Sequence, residues 1–189
     1  MSHNHNHHHN HSSEVSTTRL LITMTLNFII TIAELIGGIL SGSLALISDA
    51  LHNFSDGIAI IISYIAIRLN KKPVSENFTF GFKRAEIIAA VFNASVLIGI
   101  SIYLFIESYK RFVNPEPIEG SLMIIVASIG LIANVIGTLL LQKGAKDNMN
   151  IKSAYLHLMS DAVSSVGVII GGIFIYFYNV YWIDPILTV

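Results

Sequence analysis

The sequence predicts an all-α membrane protein, a six-helix transmembrane bundle with a cytoplasmic N-terminus. Only 12% of the 189 residues are charged, against 53% hydrophobic, whereas a soluble domain carries roughly 25% charged residues. The apolar residues are gathered into runs at 20–40, 44–67, 87–106, 122–141 and 153–177, each close to the roughly 20 residues that cross a hydrocarbon core. Lys and Arg fall almost entirely on one side of these runs, which fixes the orientation.

Taken in order, residues 1–18 form a histidine-rich tail. Its low-complexity start, MSHNHNHHHNHSS, has nothing to bury, so it is expected to be disordered and to chelate metal loosely through His3, His5, His7, His8, His9 and His11. The interleaved Asn residues set it apart from an unbroken affinity tag. The first span lacks the charged leader and short apolar core of a cleaved signal peptide. A brief loop at 41–43 leads to the second span, a polar stretch at 70–83 to the third, a loop at 114–120 containing Pro115 and Pro117 to the fourth, and a loop at 144–150 to the fifth. Connections this short make successive helices antiparallel neighbours. A sixth span is expected to start at 186, after Asp184 and Pro185. Gly37, Gly38, Gly42, Gly167, Gly171 and Gly172 carry the small-xxx-small spacing that lets helix backbones approach in lipid.

Nine of the eleven basic residues, Arg19, Arg68, Lys71, Lys72, Lys83, Arg84, Lys143, Lys146 and Lys152, fall on the side of the tail, and only Lys110 and Arg111 on the other. The tail and the loops at 70–83 and 144–150 are therefore cytoplasmic. The partners expected from this layout are a lipid bilayer and no nucleic acid. There is no cysteine, so disulfides and thiolate metal sites are excluded and any metal is held by nitrogen and oxygen.

Only two of the eight histidines lie outside the tail, and both sit within apolar spans. His52 begins the string His-Asn-Phe-Ser-Asp ending at Asp56, and His157 begins His-Leu-Met-Ser-Asp ending at Asp161, each preceded by Leu. Residues i and i+4 share one helix face, so each motif presents an imidazole and a carboxylate in one direction. Two such faces opposed offer two nitrogens and two oxygens, a donor set that suits tetrahedral Zn²⁺; Mg²⁺ and Ca²⁺ take more oxygens. At about 1.5 Å of rise per residue, Asp56 lies roughly 18 Å below the outer end of its span and Asp161 roughly 12 Å above the inner end of its own. In a core about 30 Å thick those levels coincide, with His52 roughly 6 Å above and His157 roughly 6 Å below. A charged side chain at mid-bilayer costs at least roughly 2.5–3.5 kcal/mol, so two matching pairs point to function. The bland alternative is that each His donates a hydrogen bond to its Asp and ties helices together.

Other polar residues surround the motifs. Asp49 and Asn53 share the face of His52, where Asp49 either orients the imidazole or serves as an accessory ligand. Asn27 and Glu34 share a face of the first span, lining an aqueous path or, as the simpler reading, bonding to neighbouring helices. Glu86 and Glu107 flank the third span, where solvation or ion pairing is the default.

These strings resemble the cation diffusion facilitators: GSLALISDALHNFSDG at 42–57, FGFKRAE at 80–86 followed by Asn93, LHLMSDAVSSVGV at 156–168, and Trp182-Ile183-Asp184-Pro185. The resemblance covers nearly everything after the tail. It implies six spans with both termini cytoplasmic, a homodimer, and exchange of cytosolic Zn²⁺ for protons. It also implies that His52, Asp56, His157 and Asp161 are the transport ligands in a zinc-preferring version of the site, with Cd²⁺ or Co²⁺ as further substrates. Family members usually continue into a cytoplasmic α/β domain, so dimerisation is less secure for a chain that reaches Val189 four residues into the sixth span.

The functional expectation is a secondary transporter, not an enzyme: Zn²⁺/H⁺ antiport out of the cytoplasm by alternating access around a midplane site, in a bacterial cytoplasmic membrane. One rival is an electron-transfer bundle in which His52 and His157 ligate a buried haem. It leaves both i+4 carboxylates unexplained. Another is a non-transporting subunit with structural His–Asp pairs.

Overall fold

In the computed structural model, residues 10–70, 85–146 and 148–189 are described, and among them every regular element is helical. The elements are α1 (Asn10–Ser41), α2 (Leu44–Asn70), α3 (Ala85–Val113), α4 (Gly120–Leu141), a 3₁₀ turn at Gly144–Lys146, α5 (Met149–Tyr178) and α6 (Ile183–Thr188). Five of them contain stretches long and apolar enough to cross a membrane, and large apolar side chains such as Ile98, Phe105, Val163 and Leu139 stand exposed along their outer faces. In water this would be a defect; in a bilayer it is the lipid-facing surface. The chain is a multi-pass membrane protein.

The helix ends differ from the sequence expectation in physically readable ways. α1 starts at Asn10, so residues 10–18 of the expected disordered tail are helical; once a long helix exists, each added residue gains a hydrogen bond without a new nucleation cost. α5 starts at Met149 rather than 153 because Asn148, in extended conformation, accepts from the amides of Asn150 and Ile151, an N-cap that no apolar count reveals. α6 starts at Ile183 rather than 186, since a proline in the first helical turn lacks only an amide that would have no partner there. His3, His5, His7, His8, His9, Lys71, Lys72, Lys83 and the start of the 80–86 string lie outside the described residues.

α4 packs between α1 and α5; α1 also packs on α2, α2 on α3 and α6, and α6 on α3 and α5. The result is a ring, α2–α1–α4–α5–α6, with α3 at its edge. Across the ring α2 and α5 touch only sparsely. Two apolar clusters close its ends. Ala45, Leu46, Ile118, Met123, Ala127, Val168 and Ile175 fill the outer half, and Leu141, Ile151 and Leu158 the inner end. Buried polar residues lie between them: Glu34, Asn53, Asn134, Asp161 and Ser165.

Backbones approach closely at the α4–α5 contact, where a Cβ on Gly120 would meet the Tyr176 amide at 2.9 Å and the Gly172 carbonyl at 3.0 Å. Gly42, with φ +75°, supplies the left-handed turn that reverses α1 into α2, a conformation that costs any other residue a steric clash. The outer end is then bolted by hydrogen bonds. Asp184 is fully buried and accepts from Ser43 Oγ (2.6 Å) and from the Leu44 (2.7 Å) and Ala45 (3.3 Å) amides, which are free donors at the start of α2. Ser108 of α3 donates to the Pro185 carbonyl at 2.6 Å, and Arg111 donates to the Gly42 carbonyl at 2.6 Å while pairing with Glu107.

Candidate metal centre

The two motifs meet where α2 and α5 touch. The His52 and His157 ring centroids are 6.4 Å apart, tilted at 43°, and one helical turn further out Ser164 of α5 reaches Asp49 of α2 at 3.4 Å. The spacing i, i+4 does what the helix geometry requires. His52 Nε2 lies 3.8 Å from Asp56 Oδ2, and His157 Nε2 lies 3.5 Å from Asp161 Oδ2.

Those two separations are longer than hydrogen bonds, and Asp161 Oδ2 has no hydrogen-bonding partner among the described residues. The structure therefore does not show the His–Asp hydrogen bonds that the bland alternative requires. Nor does it show a closed metal cage: among the described residues no three His, Asp or Glu side chains converge on one point.

The register differs from the depth expectation. Pairing His52 with His157 and Asp49 with Ser164 puts the histidines level and spreads the carboxylates: on antiparallel helices Asp161 falls near residues 48–52 of α2, roughly 9 Å from the level of Asp56. The expectation had levelled the carboxylates and spread the histidines. The expectation counted depth from residue 153, whereas the Asn148 cap starts α5 four residues earlier.

The halves of the site also differ in burial. On α5 the side chain of Asp161 is 6% exposed; on α2 those of His52 and Asp56 are 58% and 38% exposed. α5 is flanked by α4 and α6, and its contact with α2 is sparse. The α2 pair is the open side of the site and the α5 pair its floor.

The accessory residues fall into place around this. Asp49 shares the level of Asp161, and Asn53 is buried with an unpartnered Oδ1. Glu34 of α1 lies within electrostatic range of both Asp49 and Asp161. Its Oε2, like Asn27 Oδ1, bonds to no protein group among the described residues. Glu107 is ion-paired with Lys110 and Arg111 as expected; the Glu86 and His11 side chains are not described. Two residues escaped the sequence reading. Ser164 was masked by its ordinary composition. Asn134 carried a signal, being the one amide in the apolar α4, and it is fully buried with its Oδ1 unpartnered.

Residues 20–189 match the family model described as the cation efflux transmembrane domain. Among curated relatives, the metal cation efflux system protein CzcD of Cupriavidus metallidurans is 44% identical over 168 residues, covering 89% of this chain and 53% of the relative. The cadmium, cobalt and zinc/H(+)-K(+) antiporter of Bacillus subtilis is 43% identical over 84% of this chain and 51% of its own length. The zinc transporter ZitB of Pectobacterium atrosepticum is 39% identical over 100% of this chain and 58% of its own. The chain spans about half the length of the curated relatives it matches. With 170 of its residues under one domain model and its motifs on facing helices, the chain belongs to the cation efflux family, the cation diffusion facilitators that its strings resemble.

Proposed function

We propose that the protein exports a divalent cation from the cytoplasm, Zn²⁺ foremost and Cd²⁺ or Co²⁺ as further substrates, in exchange for protons. His52, Asp56, His157 and Asp161 bind the ion, and the membrane is a bacterial cytoplasmic membrane. The observation that carries this reading is the apposition of the two motif imidazoles, 6.4 Å apart where α2 and α5 touch sparsely across the ring. Two imidazoles sharing one tetrahedral zinc at about 2.0–2.1 Å place their ring centroids roughly 5 Å apart. An approach of α2 and α5 by about an ångström, with the Asp56 and Asp161 side chains turning inward, closes the cage. A sparse contact is where such rocking costs least, and alternating access around a midplane site is its outcome.

Exchange follows from the ligand chemistry. Metal requires neutral imidazole and ionised carboxylate, so protons and Zn²⁺ compete for the same groups, and imidazole titrates near neutral pH. An inward proton gradient then helps strip the ion on the far side. The names of the relatives, which speak of cadmium, cobalt, zinc and protons, support this choice of substrate and counter-ion. The working unit is proposed to be a homodimer. The haem alternative gains nothing from these neighbours and still leaves the two carboxylates without a role.

The test is flux into proteoliposomes loaded with a zinc-sensitive dye, using a chain whose six tail histidines are replaced by Asn so that only the membrane site is read. Zinc flux is expected, weakening when the outward-facing pH gradient is collapsed. His157→Ala should reduce it to the protein-free background, and undiminished flux would sink the ligand assignment.

A further inference from the structure

We propose that Glu34, with Asn134 and Asn27, forms a proton-binding site separate from the metal ligands, which gives up its proton when the metal binds. This rests on the antiport reading and adds where an exchanged proton is held.

The site lies in the seam between α1 and α4. Glu34 and Asn134 are each 1% exposed. A Cβ on Gly130 would lie 2.5 Å from Glu34 Oε1, so the glycine lets the carboxyl group lie against the α4 backbone. One turn along α4 from Gly130 is Asn134, and Gly137 in turn faces Thr23. The helices are antiparallel, so Asn134 sits at a level between Glu34 and Asn27. Glu34, Asn134 and Asn27 thus form a column descending from the level of the metal centre toward the inner end of the bundle.

Glu34 Oε2, Asn134 Oδ1 and Asn27 Oδ1 are all oxygen atoms without a hydrogen-bonding partner among the described residues. These oxygens are acceptors and cannot satisfy one another; each amide also carries an NH₂ donor, and neither donates to Glu34 Oε2. A proton on Glu34 changes the balance, since it removes a charge from an apolar setting and supplies an O–H donor. The ionisable groups facing Glu34 are Asp49 from α2 and Asp161 from α5; α4 offers only Gly130 and Asn134. No cation pairs with Glu34 among the described residues.

A divalent cation arriving at Asp161 reverses this. A positive charge nearby favours the ionised carboxylate, so binding of the metal and release of the Glu34 proton are linked, and by reciprocity protonation of Glu34 weakens metal binding. The O–H bond of the acid breaks, its proton passes to water, and no redox change occurs. Because the column runs toward the inner end, the proton leaves on the side from which the exported ion enters.

The experiment is calorimetric zinc titration of the full chain, with His3, His5, His7, His8, His9 and His11 each replaced by Asn, in two buffers of different ionisation enthalpy. This reads protons released per zinc bound. Glu34→Gln is expected to keep zinc binding and release about one proton fewer, and Glu34→Asp to restore the count. An unchanged count in Glu34→Gln overturns the proposal. A purely packing role would alter affinity or stability and leave the count alone. Should Glu34→Gln not fold, the zinc-minus-apo infrared difference spectrum of the unsubstituted site decides: loss of a carboxylic-acid carbonyl band on zinc addition is expected, and its absence overturns the proposal. Asp161→Ala keeps the two readings apart. If it binds zinc as well as the parent, the ligand assignment itself fails; if it loses zinc while Glu34→Gln leaves the count unchanged, only the proton site fails.

Discussion

The outer end of the bundle and its middle layer treat buried oxygen atoms in opposite ways. At the outer end Asp184 is surrounded by three donors, and the Gly42 and Pro185 carbonyls each receive a side-chain hydrogen bond. In the middle layer, oxygens of Glu34, Asn53, Asn134 and Asp161 have no partner among the described residues. Both layers are buried to the same degree. A buried polar group left unpaired costs about 1–3 kcal/mol, so the outer layer is held by its own hydrogen bonds, and the middle layer carries a cost that a partner from outside the chain would relieve.

The sharpest break in this contrast comes from removing a middle-layer carboxylate proposed as a ligand. Asp161→Ala should lower zinc affinity at least about 100-fold, more than the 10–100-fold typical of a supporting residue, while the thermal midpoint in detergent holds or rises because an unpaired carboxylate has gone. A large fall in that midpoint would show Asp161 to be structural. The reciprocal change, Asp184→Ala, strips three donors of their acceptor. It should destabilise the protein by about 3 kcal/mol or more, given about 1.5–3 kcal/mol for a hydrogen bond to a charged group, and leave the zinc affinity of the folded fraction within about twofold. Zinc affinity falling in parallel would mean that the two layers are not separable.

A smaller and opposite effect is expected at Asn134→Leu. Deleting an unpaired oxygen from an apolar helix should stabilise the bundle by about 1 kcal/mol and slow zinc-driven proton release, the trade expected where a strained group serves function. Smallest is Arg111→Lys at the outer end. It loses the planar fork that joins the Gly42 carbonyl to Glu107 and should cost about 1 kcal/mol, the net worth of one hydrogen bond, because lysine keeps the charge; thermal unfolding reads it, with flux unaltered.

The same contrast separates what was legible in the sequence from what was not. Membrane spans were readable because lipid forces long apolar runs, and the His52 and His157 motifs because ionisable residues in such runs are rare. The register between α2 and α5 was not readable, since it depends on where helices begin. Asn148 and Gly42 set those points through capping and a left-handed turn, not through hydrophobicity. The outer bolt was hidden because Asp184, Ser43 and Ser108 are distant in sequence and ordinary in type. Asn134 was readable in principle as a lone amide in an apolar helix; its meaning depends on Gly130 bringing Glu34 alongside, which only packing shows.

The turn at Gly42 is so short, with Gly42 and Ser43 alone between α1 and α2, that the two helices enter a bilayer as one hairpin. Each carboxylate they carry would cost at least roughly 2.5–3.5 kcal/mol to insert by itself. Folded back on each other, the helices bring Glu34 and Asp49 across while turned toward a neighbouring helix and away from lipid. The glycine that shapes a loop in the finished protein thereby also eases its biosynthesis, letting the polar residues of the middle layer reach the centre of the membrane in company.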